Sequence, residues 1–226
     1  MNQKLREDAN RIIEDAIFAV KPEEAVKRAL KDVTLSGNVY LVSVGKAAYT
    51  MAEAASQIVE YKKGVVVTKY HHVFGKIPRV ECFEAAHPTP DEAGVLATQQ
   101  VLQMVSHLKK EDTVLFLLSG GGSALFEDPI IPLEELQDIT NQLLAKGADI
   151  TEMNAIRKRL SKVKGGKFAK AIAPAKVYSV ILSDVLGDPV DMIASGPTAV
   201  DASTCEEVEK IIETYDLKLS DVAKKA

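Results

Sequence analysis

Four stretches of the chain are nearly continuous apolar runs rich in β-branched residues: Asn38 to Val44 (NVYLVSV), Gly64 to Thr68 (GVVVT), Thr113 to Leu118 (TVLFLL) and Lys176 to Leu182 (KVYSVIL). A strand with water on one face alternates apolar and polar residues. These runs do not alternate, so each needs cover on both faces. Val80 to Ala85 reads as a weaker fifth strand. Helical patterns fill the spaces between them. Ile12, Ile13, Ala16, Ile17 and Val20 recur at helical spacing, and Pro22 opens a second helix with Glu23 and Glu24 in its first turn. A third helical stretch follows Ala48, a fourth runs from about Asp91 to Leu108, and another from Pro132 to Ala145, with Gly147 as its C-cap. Thr151 is read as the cap of the next helix, with Asn154 at the third position and so no full capping box, and the last helix spans Cys205 to Tyr215. Strands alternating with helices in this way predict an α/β fold, a Rossmann-like three-layer sandwich with a mostly parallel sheet.

Composition narrows the function classes. The chain has 226 residues, 28 Lys plus Arg against 32 Asp plus Glu, and a formal net charge of -4. That balance argues against a nucleic-acid partner, which selects a basic excess. Cys82 and Cys205 show no metal-ligand spacing, so a disulfide scaffold and a zinc ribbon are excluded. The segment Met1 to Asp15 is full of charges and amides and holds no signal-peptide core, and the longest apolar runs fall short of the roughly 18 residues a membrane span needs. No membrane partner and a cytoplasmic setting are expected.

In an open parallel sheet, ligands bind beyond the carboxyl ends of the strands. Three strands end there in chemically marked turns: Val44-Gly45-Lys46, Leu118-Ser119-Gly120-Gly121-Gly122-Ser123 and Leu182-Ser183-Asp184. The fold rule thus brings an ammonium, a glycine nest and a carboxylate to one rim. The glycines allow a tight turn whose amides approach a phosphate closely, and Ser123 adds a hydroxyl. The run is neither a spaced dinucleotide fingerprint nor a Walker A loop, and a plain strand-to-helix turn is the alternative. Lys46 is either a solvated lysine or a point charge for a phosphoryl group.

Between Met153 and Ser183 no acid occurs, while Arg157, Lys158, Arg159, Lys162, Lys164, Lys167 and Lys170 are basic. Asn154, Arg157, Lys158 and Ser161 fall on one helix face, beside an apolar stripe of Met153, Ile156, Leu160 and Val163 expected to dock on the sheet. The choice is between a solvated basic face and an anion site. Asp184 and Asp188 flank a glycine turn, Gly187, and suit either Mg²⁺ beside a phosphate or an Asx-turn. His87-Pro88-Thr89-Pro90 is a rigid loop whose histidine either orients a substrate or is structural.

Taken in order, Val44-Gly45-Lys46-Ala47, His87-Pro88-Thr89-Pro90-Asp91, the Leu118 to Leu125 glycine turn, Asn154 to Lys158 with Lys164-Gly165-Gly166, Ser183 to Asp188 and Ile193-Ala194-Ser195-Gly196-Pro197-Thr198 closely resemble the glycerate kinase family of the MOFRL type. The resemblance covers essentially the whole chain. It implies ATP-dependent phosphorylation of the 2-hydroxyl of D-glycerate to 2-phosphoglycerate, with ATP and Mg²⁺ at a cleft between two domains. It implies Lys46, Asp184 and Asp188 as catalytic residues, with the two aspartates also near the metal. Gly45, Ser119, Gly120, Gly121, Gly122 and Ser123 would bind nucleotide phosphates, and Asn154, Arg157 and Lys164 the substrate.

Members of that family are about twice this length. Residues 1–226 are therefore expected to form the Rossmann-like N-terminal domain, with the C-terminal domain absent from this chain and catalysis by the chain alone in doubt. Two alternatives stand: a non-catalytic binding domain for a phosphorylated three-carbon acid, and the hydroxypyruvate reductase that some relatives are labelled as. The second lacks the glycine fingerprint it would need. A small-molecule substrate is expected, and a homodimer is left open.

Overall fold

The structure is a computed structural model that describes residues 3–225. In chain order it runs α1 (Gln3–Ala19), α2 (Pro22–Leu30), β1 (Val39–Val44), α3 (Ala48–Ser56), β2 (Lys63–Lys69), β3 (Val80–Ala85), α4 (Glu92–Val105), β4 (Thr113–Ser119), α5 (Gly122–Leu125), α6 (Leu133–Ala145), α7 (Ile150–Leu160), α8 (Lys167–Ile172), β5 (Lys176–Leu182) and α9 (Cys205–Thr214). The five strands form one sheet in the order β3-β2-β1-β4-β5, and every pairing is parallel. The chain builds outward from β1 in one direction, then crosses back to place β4 on its other side. The crevice between the ends of β1 and β4 is the topological switch point.

The period-two geometry of a strand divides the core. Val42, Val44, Val114, Phe116 and Leu118 point to one face, where α4 and α8 cover them, and Phe116 packs among Phe126 and Phe168. Leu41, Leu115 and Leu117 point to the other, against Val26 and Leu30 of α2 and Met51 and Ala55 of α3. All seven residues of β4 are buried, as its unbroken apolar run requires. The edge strand β5 is only partly buried, and Val180 is its one buried residue.

A third cluster lies apart from the sheet. Leu136, Ile139 and Leu143 of α6 pack with Met153, Ile156 and Leu160 of α7 and with Leu217. This corrects the expectation that the α7 stripe docks on the sheet: only Val163 reaches the sheet's core. The cap of α7 also differs. Asp149, not Thr151, is the N-cap, and its carboxylate accepts from the amides of Thr151 and Glu152 while Glu152 accepts from the Asp149 amide. The capping box is therefore complete and starts two residues earlier than expected. Helix α1 forms as its periodicity suggests, yet none of its residues is buried. Among the described residues, no helix is long and apolar enough to cross a membrane.

Candidate active site

At the switch point, two strand ends interlock. Gly45 has φ +118, and a Cβ there would fall 2.3 Å from the Ser119 hydroxyl and 2.5 Å from the Ser119 carbonyl oxygen. Only glycine allows this approach. The contact is then tied: the Lys46 amide donates to the Gly120 carbonyl at 2.9 Å, and the Ala47 amide to Ser119 Oγ at 3.1 Å. Lys46 is thereby held beside the glycine turn with its own side chain exposed. Ser119 is buried and its hydroxyl is occupied by the Ala47 amide, so it acts as a strut between the two turns.

Each of the next three glycines admits a different neighbour. A Cβ at Gly120 would fall 2.4 Å from Asp184 Oδ2. One at Gly121, where φ is +89, would meet His87 Cδ2 at 3.0 Å, His87 Nε2 at 3.1 Å and Lys46 Cγ at 3.1 Å. One at Gly122 would meet Leu118 at 2.8 Å and Ala194 at 2.9 Å. Lys46, His87 and Asp184 therefore surround one short turn, although they lie far apart in sequence. Within that turn, the amides of Gly121, Gly122 and Ser123 donate to no acceptor among the described residues, and α5 is a single turn. What points outward is a row of N–H groups.

Beneath the turn is a buried cation. Lys164 is fully buried, and its Nζ donates to the carbonyls of Ser123 and Phe126, each at 3.0 Å, and pairs with Glu127 at 3.4 Å. Burial depresses its pKa, Glu127 opposes that shift, and the charge of nearby Arg157 adds to it. Glu127 Oε1 has no hydrogen-bond partner. Arg157 is half-buried and makes no hydrogen bond or ion pair among the described residues. Its guanidinium is the free cation of this group.

The shared face expected for Asn154, Arg157, Lys158 and Ser161 is not an open one: all but Arg157 are buried. Asn154 Oδ1 accepts from the Ser195 hydroxyl at 2.7 Å. That bond holds a turn in which Ala194, Ser195 and Gly196 all have positive φ, at 52, 59 and 62 degrees. The Gly165 and Gly166 amides clasp the same turn through the Ser195 and Gly196 carbonyls. Lys158 pairs with Asp191 and Asp201, and Lys162 with Asp128. The basic segment lacks local acids, but the fold delivers distant ones. Lys167 closes the C-terminal end of α7 by donating to the carbonyls of Lys158 and Ser161.

Asp184 and Asp188 are both exposed, with no ion pair or side-chain hydrogen bond among the described residues. Asp184 touches the turn, and Asp188 lies four residues on in an exposed loop with φ +50. No group of three or more His, Cys, Asp or Glu side chains gathers as a metal cage among the described residues. Mg²⁺ does not need one, because it keeps waters and takes one or two carboxylates plus phosphate oxygens. An unpartnered carboxylate against a phosphate-type turn fits that ion. The cavity lined by Lys158, Asp191, Ser203 and Lys210 includes neither Lys46 nor Asp184.

His87 is the residue that sequence reasoning left undecided. The loop carrying it is pinned by Asp91, which caps α4 through the Gly94 amide and accepts from the Tyr70 hydroxyl, and by Gln137, which donates to the Pro90 carbonyl.

The DUF4147 family, described as a domain of unknown function, matches residues 8–226. The chain belongs to that family, the N-terminal domain of MOFRL-type glycerate kinases. It is 50% identical over 228 residues to D-glycerate 2-kinase of Thermotoga maritima, covering 99% of this chain and 54% of that protein. It is 42% identical to glycerate 2-kinase of Pyrococcus horikoshii, covering 94% of this chain and 51% of that protein. A solved Thermotoga maritima glycerate kinase superimposes with a TM-score of 0.96 at 49% identity, over 99% of this chain and 55% of that one. The chain thus spans about half the length of the relatives it matches.

Proposed function

We propose that this chain forms the nucleotide-phosphate half of a kinase that transfers the γ-phosphoryl group of ATP to the 2-hydroxyl of D-glycerate, giving 2-phosphoglycerate. The observation that carries the reading is the placement of Lys46 and Asp184 on either side of a turn with unpaired amides. Phosphoryl transfer asks a protein mainly to position reactants and neutralise charge. The amides of Gly121, Gly122 and Ser123 receive phosphate oxygens. Lys46 supplies the point charge for the transferring group. Arg157, whose planar fork suits a carboxylate, holds glycerate. Lys164 and Asn154 shape the two turns from below. Asp184 and Asp188 would hold Mg²⁺, which when bound offsets the charge of the phosphate oxygens.

Relatives are about twice as long, and the remaining transition-state charge and the cleft's second wall are assigned to that further half. A small-molecule substrate, a cytoplasmic setting and no nucleic-acid partner accompany this reading, and the net charge of -4 supports the last of these. The test is ADP release from Mg-ATP and D-glycerate. It should be run on the chain and on a chimera in which these 226 residues replace the matching half of the Thermotoga maritima enzyme. ADP formation dependent on glycerate is the expected result in the chimera. Nucleotide binding by the chain without ADP from either protein would instead favour a binding domain.

A further inference from the structure

We propose that His87 is the base that takes the proton from the substrate hydroxyl as that oxygen attacks the γ-phosphorus. This rests on the kinase reading above and assigns that site a residue not given a role there.

Position is the first argument. His87 follows β3, the far edge strand, yet its ring lies over Gly121 beside the Lys46 side chain. The loop crosses the ends of two strands to reach the switch point, and Asp91 and Gln137 fix it there. Availability is the second. Neither ring nitrogen has a hydrogen-bond partner among the described residues, and the residue is exposed. A structural loop histidine would be expected to spend at least one nitrogen on its own loop, as His72 does on the Tyr70 carbonyl. The third argument is protonation state. Partial burial of the ring, then the ammonium groups of Lys46 and Lys69, hold its pKa below the ordinary histidine value. Of the charged groups around the turn, those two lysines lower the pKa, while the Asp184 carboxylate lies against the neighbouring Gly120. That shift favours the uncharged imidazole, the form that can accept a proton.

The step balances. The hydroxyl oxygen forms a bond to phosphorus, and its proton passes to the imidazole nitrogen. The bond from phosphorus to the β–γ bridging oxygen breaks, and its electron pair leaves with ADP. The imidazolium then releases its proton to solvent. One cation thus serves twice: Lys46 offsets phosphoryl charge and keeps its neighbour unprotonated.

Two measurements test this. In the chain itself, the ring nitrogens of His87 are followed by NMR while D-glycerate is added to a complex with Mg²⁺ and a non-hydrolysable ATP analogue. A shift at His87 is expected. Shifts at the Gly121 amide without one at His87 would overturn the assignment and leave the kinase reading intact. Shifts at neither would overturn both.

In the chain or the chimera, whichever releases ADP, His87→Gln is compared with the unaltered protein across pH 5 to 9. A kcat lower by on the order of 10², with KM for ATP little changed and the acid limb of the profile lost, is expected. His107→Gln serves as a control and should leave kcat unchanged. An unaltered kcat and acid limb in His87→Gln would overturn the proposal.

Discussion

The Asp184 carboxylate occupies the space a side chain at Gly120 would need, with Oδ2 2.4 Å from that Cβ position. Gly120 has an ordinary φ, so alanine is acceptable to the backbone there, and the group displaced is the end of an exposed side chain. Gly120→Ala should therefore leave thermal stability within about 0.5 kcal/mol, the range of ordinary surface changes, while moving Asp184 off the turn. Glycerate-dependent ADP release should fall although no functional group has been removed. A variant that is stable and fully active would show that Asp184 need not lie against the turn.

Gly45→Ala is expected to behave in the opposite way. The added methyl meets the Ser119 backbone at φ +118, and neither can move without opening the β1–β4 crevice. Strain of this kind costs about 1–3 kcal/mol, and the clash adds to it. Urea denaturation should show the loss as a lower midpoint, with the slope unchanged.

Lys164 tests the support beneath the turn. Lys164→Ala strands Glu127 in the interior and releases the Ser123 and Phe126 carbonyls. Removing one partner of a buried ion pair costs about 3–5 kcal/mol. Lys164→Met combined with Glu127→Leu should recover much of that stability, because it removes both charges at similar volume. Stability equal to that of Lys164→Ala alone would show that the pair itself is not the cause.

Acid sensitivity has a nameable source at the start of β4. The buried Asp112 carboxylate accepts from the Lys109 amide and from the Asn38 side chain, and these bonds hold its pKa below the usual carboxylate value. A depressed native pKa means the unfolded chain binds the proton more readily. The contribution is therefore complete above the unfolded pKa and is lost as pH falls through the native one. Asp112→Asn should lower the melting temperature at pH 7 and flatten its decline in acid. Parallel pH curves for the two proteins would refute this.

The sheet was legible because β4 and its companions carry unbroken apolar runs, and because strand ends in a parallel sheet share an edge. That rule alone placed Lys46, the glycine turn and Asp184 together. The basic segment was harder. Its sequence shows seven cations without an acid, but Glu127, Asp128, Asp191 and Asp201 arrive from other elements to pair Lys158, Lys162 and Lys164, while Arg159 and Lys167 donate to backbone carbonyls. Arg157 and Lys170 make no side-chain hydrogen bond or ion pair among the described residues. The start of α7 was misplaced because Asp149, rather than Thr151, carries the box with Glu152. His87 could not be ranked, since a loop's path across two strand ends leaves no local trace in the sequence.

The most direct check is an amide NMR titration of the ¹⁵N-labelled chain with Mg-ATP. The largest shifts should fall on Gly121, Gly122 and Ser123, and they should vanish in Lys46→Met while the remaining spectrum is preserved. Shifts confined to the α7–α9 cavity around Lys158 and Lys210, or a titration that Lys46→Met leaves unchanged, would contradict the account.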